Sequence, residues 1–482
     1  MKKKLLFCSI AIMGISVSLI SCGNNTRTED DTLRICVYDG GYGKDWLDAL
    51  ATSYEEKTGQ KVEFDTDGSI LDRLESQLRD GSDYDIFMSH DINWRQYAAS
   101  GYLVNLDELY KSNVEGTSKT FEERLSTGAA ENSLTEGEDG TEHYYKVCYT
   151  QGAGGFVYNM DMFKENNWSV PTTYNELVAL CSVISQTEVP DGDRGEKIVP
   201  FAWAGSDRQY YWDYPIFSWW YELAGEEKMK TILEYKGEDG KYSTGYEMYN
   251  PSTFNKEFKE AYTMWYDLVA KNPSYSNSDA YGTTLITAQS AFANKKAAMI
   301  PYGQWAKYEI QNAVKKDDLG FDIAMMKTPK AKSTSSTNYN YLVGFGDSII
   351  VPENAINKDK AIDFIRFLAE PDSCKTFVEK AEGAFLAFDY SDVDMTSLTS
   401  KDTYIASINE ILTTSKNFHL TSKNPITFWN VNCVMPWIEN KYYYAVAAQG
   451  DEKGTPENSF NTMYVTAKNA WRNWLNNAGL SD

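Results

Sequence analysis

Side chains able to do covalent or metal chemistry are sparse in this sequence. Its 482 residues include three histidines, at positions 90, 143 and 419, and seven cysteines. No Cys-x-x-Cys or His-x-x-x-His spacing occurs, so a transition metal has no ready set of ligands. No Gly-x-Ser-x-Gly elbow and no Walker A loop is present. The stretch DGDRGE at 191–196 lacks the full ligand spacing of an EF-hand and reads as a solvated turn. Aromatic rings, in contrast, are plentiful: 14% of residues, with 34 Tyr and 13 Trp. A sugar ring packs its C–H face on an aromatic plane while its hydroxyls seek polar partners. Rings in this number suit a flat, hydroxyl-rich ligand, and they also suit an aromatic core. No cofactor is implied.

One cysteine stands apart. Lys2, Lys3 and Lys4 precede a mostly apolar run from 5 to 20, which has the layout of a secretory signal and is short for a permanent membrane span. The run ends in LISCG rather than in an Ala-x-Ala-like site. It resembles the lipobox of bacterial lipoproteins. That resemblance implies removal of 1–21, acylation of Cys22, and anchoring on the extracytoplasmic face of the cell membrane. The polar stretch 22–31 then serves as a leash with too little apolar content to pack. An ordinary signal peptide with an incidental cysteine is the alternative.

The chain is long enough for two or more domains with cores of their own. Without its first 21 residues it carries 43 basic and 69 acidic side chains, a formal charge of −26. Such a surface keeps the protein soluble and repels nucleic acid. With Cys22 acylated, five scattered cysteines remain, an odd number that makes no disulfide framework, and Cys181 and Cys374 fall on apolar helix faces.

The elements that must position any site follow from periodicity. Residues 33–38 form an apolar, β-branched strand, followed by the glycine turn 40–43. Trp46, Leu50 and Tyr54 recur at helical spacing, closed by Gly59. A strand at 61–65, a helix opened by a Ser69/Asp72 capping box and closed by Gly81, a strand at 85–88 and a short helix to Gly101 continue the alternation. This βαβαβα order predicts a parallel sheet with helical crossovers. Short strands at 145–150 and 156–158 flank the glycines of QGAGG. A Thr173/Glu176 capping box opens another helix, 230–251 reads as a polar insertion, and 342–351 reads as paired strand. Thr455 and Pro456 open a final helix with Phe460, Met463, Ala467, Trp471 and Trp474 on one face.

Several stretches, taken in order, resemble the family 1 extracellular solute-binding proteins of ABC importers. They are LRICVYDGGYGKDWLDAL, YDIFMSHDINWRQYAASGYL, GGFVYNMDMFKENNW, SAFANKKAAMIPYGQWAKYEI and KAIDFIRFLAEPDSCKTFVEKAEG. The resemblance implies an α/β chain in the two-lobed, type II periplasmic-binding-protein fold. Residues 32–150 and 327–388 would form the first lobe, and 151–326 and 389–482 the second. A carbohydrate, most simply an oligosaccharide, would sit between them. The partners implied are the transmembrane subunits of an ABC permease and, through the lipid, the membrane. A monomer is expected.

Ligands of open α/β sheets bind at the carboxyl ends of strands. That places Asp39 and Tyr42 after the first strand, and His90 and Asp91 after the third, at the cleft. Asp91 equally suits an N-cap, and His90 equally suits orienting the turn. Gln151, beside Gly152, stands where the family's chain enters the second lobe, as hinge or as cleft. YGQW matches a family turn whose tryptophan, here Trp305, stacks on sugar; a core tryptophan is the alternative. Trp203, Asp207, Tyr211 and Tyr214 form an aromatic-rich candidate segment, Phe345 falls at the return to the first lobe, and Trp437, with Trp429 beside it, lies late in the second. Met88 stands where the maltose binder of this group has a stacking tryptophan, so a maltose-like pose is not implied. The rival class is an exported glycoside hydrolase, which needs two carboxylates flanking a glycosidic bond; with 69 acids, such a pair stays open. A sugar-binding lipoprotein that senses rather than transports is a third reading.

Overall fold

The computed structural model describes residues 31–38, 40–90, 92–190, 192–205, 211–277, 280, 284–344, 347–420, 455–477 and 480–482. Its strands are, in chain order, β1 Leu33–Val37, β2 Val62–Thr66, β3 Ile86–Ser89, β4 Leu134–Glu136, β5 Glu142–Tyr144, β6 Val147–Cys148, β7 Gly152–Asn159, β8 Val199–Phe201, β9 Ala297–Gly303, β10 Ile323–Met326, β11 Tyr339–Val343, β12 Ser348–Ile350 and β13 Lys416–Phe418. They assemble into two sheets and a separate β4–β5 hairpin. The first sheet runs β2-β1-β3-β12-β6, and the second runs β13-β11-β7-β9-β8 with β10 also on β7.

The first sheet is built as its periodicity predicts. β1 pairs in parallel with β2 and β3, and the helices Asp45–Thr58 and Ile70–Asp80 cross over between them. Gly59 closes the first of these helices in the left-handed conformation, at φ 73°, which costs a glycine nothing. β12 and β6 then add antiparallel strands from much later and slightly later in the chain. Apolar side chains cover both faces. Leu47, Leu50, Phe364, Ile365 and Phe377 pack on one side, and Ile70, Leu74, Leu78 and Trp94 on the other. The second sheet is likewise sandwiched. Helices Tyr214–Ala224, Lys256–Val269 and Pro456–Asn477 supply one layer; Leu285–Ala293, Ala306–Val314 and Thr403–Thr414 supply the other. β9 is buried along its whole length, as a central strand must be.

Three sequence expectations are corrected. The glycines of QGAGG do not separate two strands; they begin β7, which runs eight residues. Glycine disfavours a strand, but here its missing side chain makes room. A Cβ on Gly152 would lie 1.7 Å from Gln304 Oε1, and one on Gly154 would lie 2.6 Å from Val343. Second, 342–351 is not one strand pair. β11 pairs with β7 in the second sheet and β12 with β3 in the first, so the chain changes sheets between Val343 and Ser348 rather than near 327. Third, the Ser69 capping box does not form, because the Ser69 hydroxyl donates to Asp67 instead. The Thr173 hydroxyl does accept from Glu176 N–H, at 3.3 Å, while the Glu176 carboxylate turns to Thr172. The region expected as an insertion is tied to the last helix: Trp471 Nε1 donates to the Tyr242 carbonyl and Tyr464 to Glu247.

Candidate functional site

Two chain ends of the sheets converge on one tryptophan. β9 carries the chain to Gly303, Gln304 follows, and Trp305 caps the helix Ala306–Val314. Gln304 is fully buried, and its carboxamide clamps the backbone of Phe385, accepting from the N–H at 2.9 Å and donating to the carbonyl at 3.3 Å. The neighbouring Leu386 bridges to Thr150. The end of β9 is thereby fixed against the connection between the two sheets, and the indole that follows is only half-buried.

Trp305 is met edge-on from both lobes. Tyr42, from the turn after β1, lies 6.1 Å away between ring centroids at 85°. Tyr211 lies at 5.4 Å and 75°, and Tyr214 at 6.4 Å and 85°. Such T-shaped arrangements suit the ring quadrupoles. The turn 40–43 is close enough that a Cβ on Gly41 would sit 3.1 Å from the indole, and one on Gly303 would sit 2.7 Å from it. A side chain at 303 would push the ring aside, and one at 41 would crowd it.

Two carboxylates flank the aromatic group. Glu309, one helical turn beyond Trp305, accepts from the Tyr302 hydroxyl at 2.8 Å and from the Tyr211 hydroxyl at 3.2 Å. Burial raises its pKa, against the pull of those donors. Asp347, at the chain's return to the first sheet, accepts from the Tyr42 hydroxyl at 2.7 Å and from Thr150. Burial, and then the Asp347 charge, push the Tyr42 phenol well above its usual range, so it stays a hydrogen-bond donor. Rings and carboxyl groups of this kind can stack a sugar and accept its hydroxyls.

The structure therefore brings together Tyr42, Tyr211, Tyr214 and Trp305 from the expected residues. It adds Glu309, Tyr302, Asp347 and Thr150, which the sequence reading missed. Glu309 was within reach of it, since positions 305 and 309 share a helix face; Asp347 was not, because its partners lie 197 and 305 residues away. Trp203 is a correction. It is 3% exposed, donates to Ser276 at 2.9 Å and packs on Trp212 and Trp265, which makes it a core residue of the second lobe. His90 sets its ring 4.2 Å from Tyr38, an arrangement that braces the turns after β1 and β3. Gln151 is buried, donates through its backbone to Phe385 and through its side chain to Thr127, and so sits in the hinge connection. Asp39, Asp91, Asp207, Phe345, Trp429, Trp437 and Cys22 lie outside the described residues. The described cysteines, Cys36, Cys148, Cys181 and Cys374, are buried free thiols. Among the described residues no cluster of His, Cys, Asp or Glu could hold a metal, and no helix is long and apolar enough to cross a membrane. A cavity of 410 Å³ opens elsewhere, between Leu103, Tyr145, Glu138, Asp139 and Glu353, and borders none of the rings.

Known proteins place this geometry in context. Residues 40–373 match the bacterial extracellular solute-binding protein family. The diacetylchitobiose binding protein DasA of Streptomyces coelicolor is 31% identical over 121 residues, 23% of this chain and 28% of that one. The multiple sugar-binding protein of Streptococcus mutans is 23% identical over 283 residues, 58% of this chain and 56% of that one. The chain thus spans about a quarter and about half the length of these two relatives. An ABC transporter solute-binding protein of Thermotoga lettingae, solved with α-D-tagatose, superposes with a TM-score of 0.64 at 18% identity, covering 92% of this chain and all of that one. The last likeness is one of fold. With two α/β lobes, a hinge crossed repeatedly and the family match over most of its length, the chain belongs to the bacterial extracellular solute-binding protein family.

Proposed function

We propose that this protein captures a carbohydrate, most simply an oligosaccharide, between its lobes and delivers it to the membrane subunits of an ABC importer. The observation that carries this reading is the ring cluster of Tyr42, Tyr211, Tyr214 and Trp305, drawn from both lobes and flanked by Glu309 and Asp347. Rings from both lobes make ligand contact and lobe closure one event, which is what a capture-and-release protein needs. The names of the diacetylchitobiose and multiple-sugar relatives support the ligand class. We read the chain as a binder without turnover, working as a monomer and needing no cofactor. LISCG supports acylation of Cys22 and tethering outside the cell membrane.

The test is calorimetric titration of the mature chain with a panel of neutral and charged oligosaccharides, each mixture also followed by chromatography. One-to-one binding with the sugar recovered intact is expected. Cleavage that scales with protein concentration would overturn the binder reading, and no binding across the panel would overturn the ligand class. For the anchor, Cys22→Ala is expected to stop lipid processing; a variant still cleaved and still held by membranes would refute it.

A further inference from the structure

Next to the ring cluster, the carboxyl edge of the first sheet holds a group of cationic and hydroxyl side chains that the sugar reading does not use. Ser89 ends β3 and Ser348 begins β12, and the two are direct partners in register. Both are buried. Lys146, just before β6, is 3% exposed; its Nζ donates to Ser348 Oγ at 3.3 Å and lies 5.1 Å from the Trp94 ring centroid. The Arg95 guanidinium lies 4.5 Å from the same ring. Two cations therefore share one indole. Arg95 Nε and Ser89 Oγ are both buried without a hydrogen-bond partner. Asp347 is a carboxylate whose charge Lys146 feels, and it accepts two hydroxyls as well.

A buried donor left without an acceptor, beside a second buried cation, is destabilising unless something else completes it. Burial disfavours the charged form of both side chains, and for Lys146 the neighbouring Arg95 acts in the same direction. The group adjoins the ring cluster along the backbone: Ser348 follows Asp347, Asp347 holds Tyr42, and Tyr42 stands edge-on to Trp305. An acidic chain, at −23 overall, would repel an anionic ligand at long range. A local pair of cations is the arrangement that admits one.

We propose that Arg95, Lys146 and Ser89 form an oxyanion subsite, and that the ligand is an acidic carbohydrate whose carboxylate or sulfate group docks there. This rests on the carbohydrate reading. The planar guanidinium offers paired donors to a carboxylate or sulfate, the ammonium adds charge, and the Ser89 hydroxyl supplies a third donor.

The test titrates the mature chain with three sets of probes: oligogalacturonates, sulfated and unsulfated chondroitin disaccharides, and neutral maltotriose, cellotriose and xylotriose. An acidic probe is expected to bind at least about tenfold tighter than the best neutral one, and Arg95→Gln is expected to remove that advantage. Oligogalacturonate and unsulfated chondroitin report on carboxylate, and the sulfated disaccharides on sulfate. Because Arg95 Nε has no hydrogen-bond partner to lose and the side chain gives up only its contact with the Trp94 ring, the ligand-free melting temperature of Arg95→Gln should stay close to that of wild type; a marked fall would assign the residue a structural role and overturn the proposal. Ser89→Ala, which removes a single hydroxyl, should weaken the acidic probe while leaving the fold intact. Binding confined to neutral probes would overturn the subsite and leave the carbohydrate reading standing, whereas no binding to any probe would overturn both. An acidic preference that survives in Arg95→Gln and Ser89→Ala would place the anion elsewhere and refute the assignment.

Discussion

Replacing Trp305 by alanine should do two separable things. In the free protein the indole makes three edge-on ring contacts, with Tyr42, Tyr211 and Tyr214. Each such contact contributes about 0.5–1.5 kcal/mol beyond area burial. Because the ring is half-buried, the lower end applies, and the ligand-free variant should lose about 1.5 kcal/mol. For lobes of this size that lowers the melting temperature by roughly 3–6 °C. The contact with Tyr42 crosses between lobes, so part of this loss falls on closure rather than on either core. On the proposed reading, the indole would also offer its face to the sugar in the complex. Losing a buried aromatic anchor costs at least about 2 kcal/mol of binding, or roughly 30-fold in affinity. Trp305→Phe keeps an aromatic face and should recover part of both. Differential scanning calorimetry without ligand and titration calorimetry with it separate the two effects. Undiminished affinity in Trp305→Ala, together with a large fall in melting temperature, would make Trp305 a packing residue and refute the stacking argument.

Two further outcomes follow from the geometry. Gly152→Ala puts a methyl 1.7 Å from Gln304 Oε1, the acceptor of the Phe385 N–H; the clamp must open, at a cost of about 3 kcal/mol, readable as a lowered urea midpoint. Asp213, buried with both carboxylate oxygens unpartnered, has its pKa raised by burial from 3.8 to about 7. The stability linked to its protonated form is complete below pH 3.8 and lost as pH rises through about 7. Asp213→Asn, which resembles that protonated form, should therefore exceed wild type by up to about 4 kcal/mol above neutrality and converge with it near pH 4; equal stability at pH 8 would contradict this.

Local features were legible in the sequence and distant pairings were not. The helix Asp45–Thr58 announced itself through Trp46, Leu50, Tyr54 and Gly59, and the last helix through Pro456. The start of β7 reads as a break between two short strands because glycine disfavours a strand; the glycines are instead the space that the Gln304 side chain, about 150 residues on, occupies over the strand. The change of sheet after Val343 likewise depends on partners in β7 and β3, which no local pattern announces. Trp203 and Trp305 are the same residue type in aromatic-rich surroundings. Only packing separates the one that donates to Ser276 in a core from the one left half-exposed between lobes. Asp347 becomes visible only once its tyrosine partner is placed, whereas Glu309 lies one helical turn beyond Trp305 and is within reach of the sequence.

A crystal structure of the mature chain with the tightest-binding sugar from the titrations would show directly whether the ring cluster holds the ligand. One ligand is expected between the lobes, with a sugar ring against Trp305 and hydroxyls within hydrogen-bond distance of Glu309 or Asp347. A sugar bound away from Trp305, or contacting one lobe alone, would contradict this expectation.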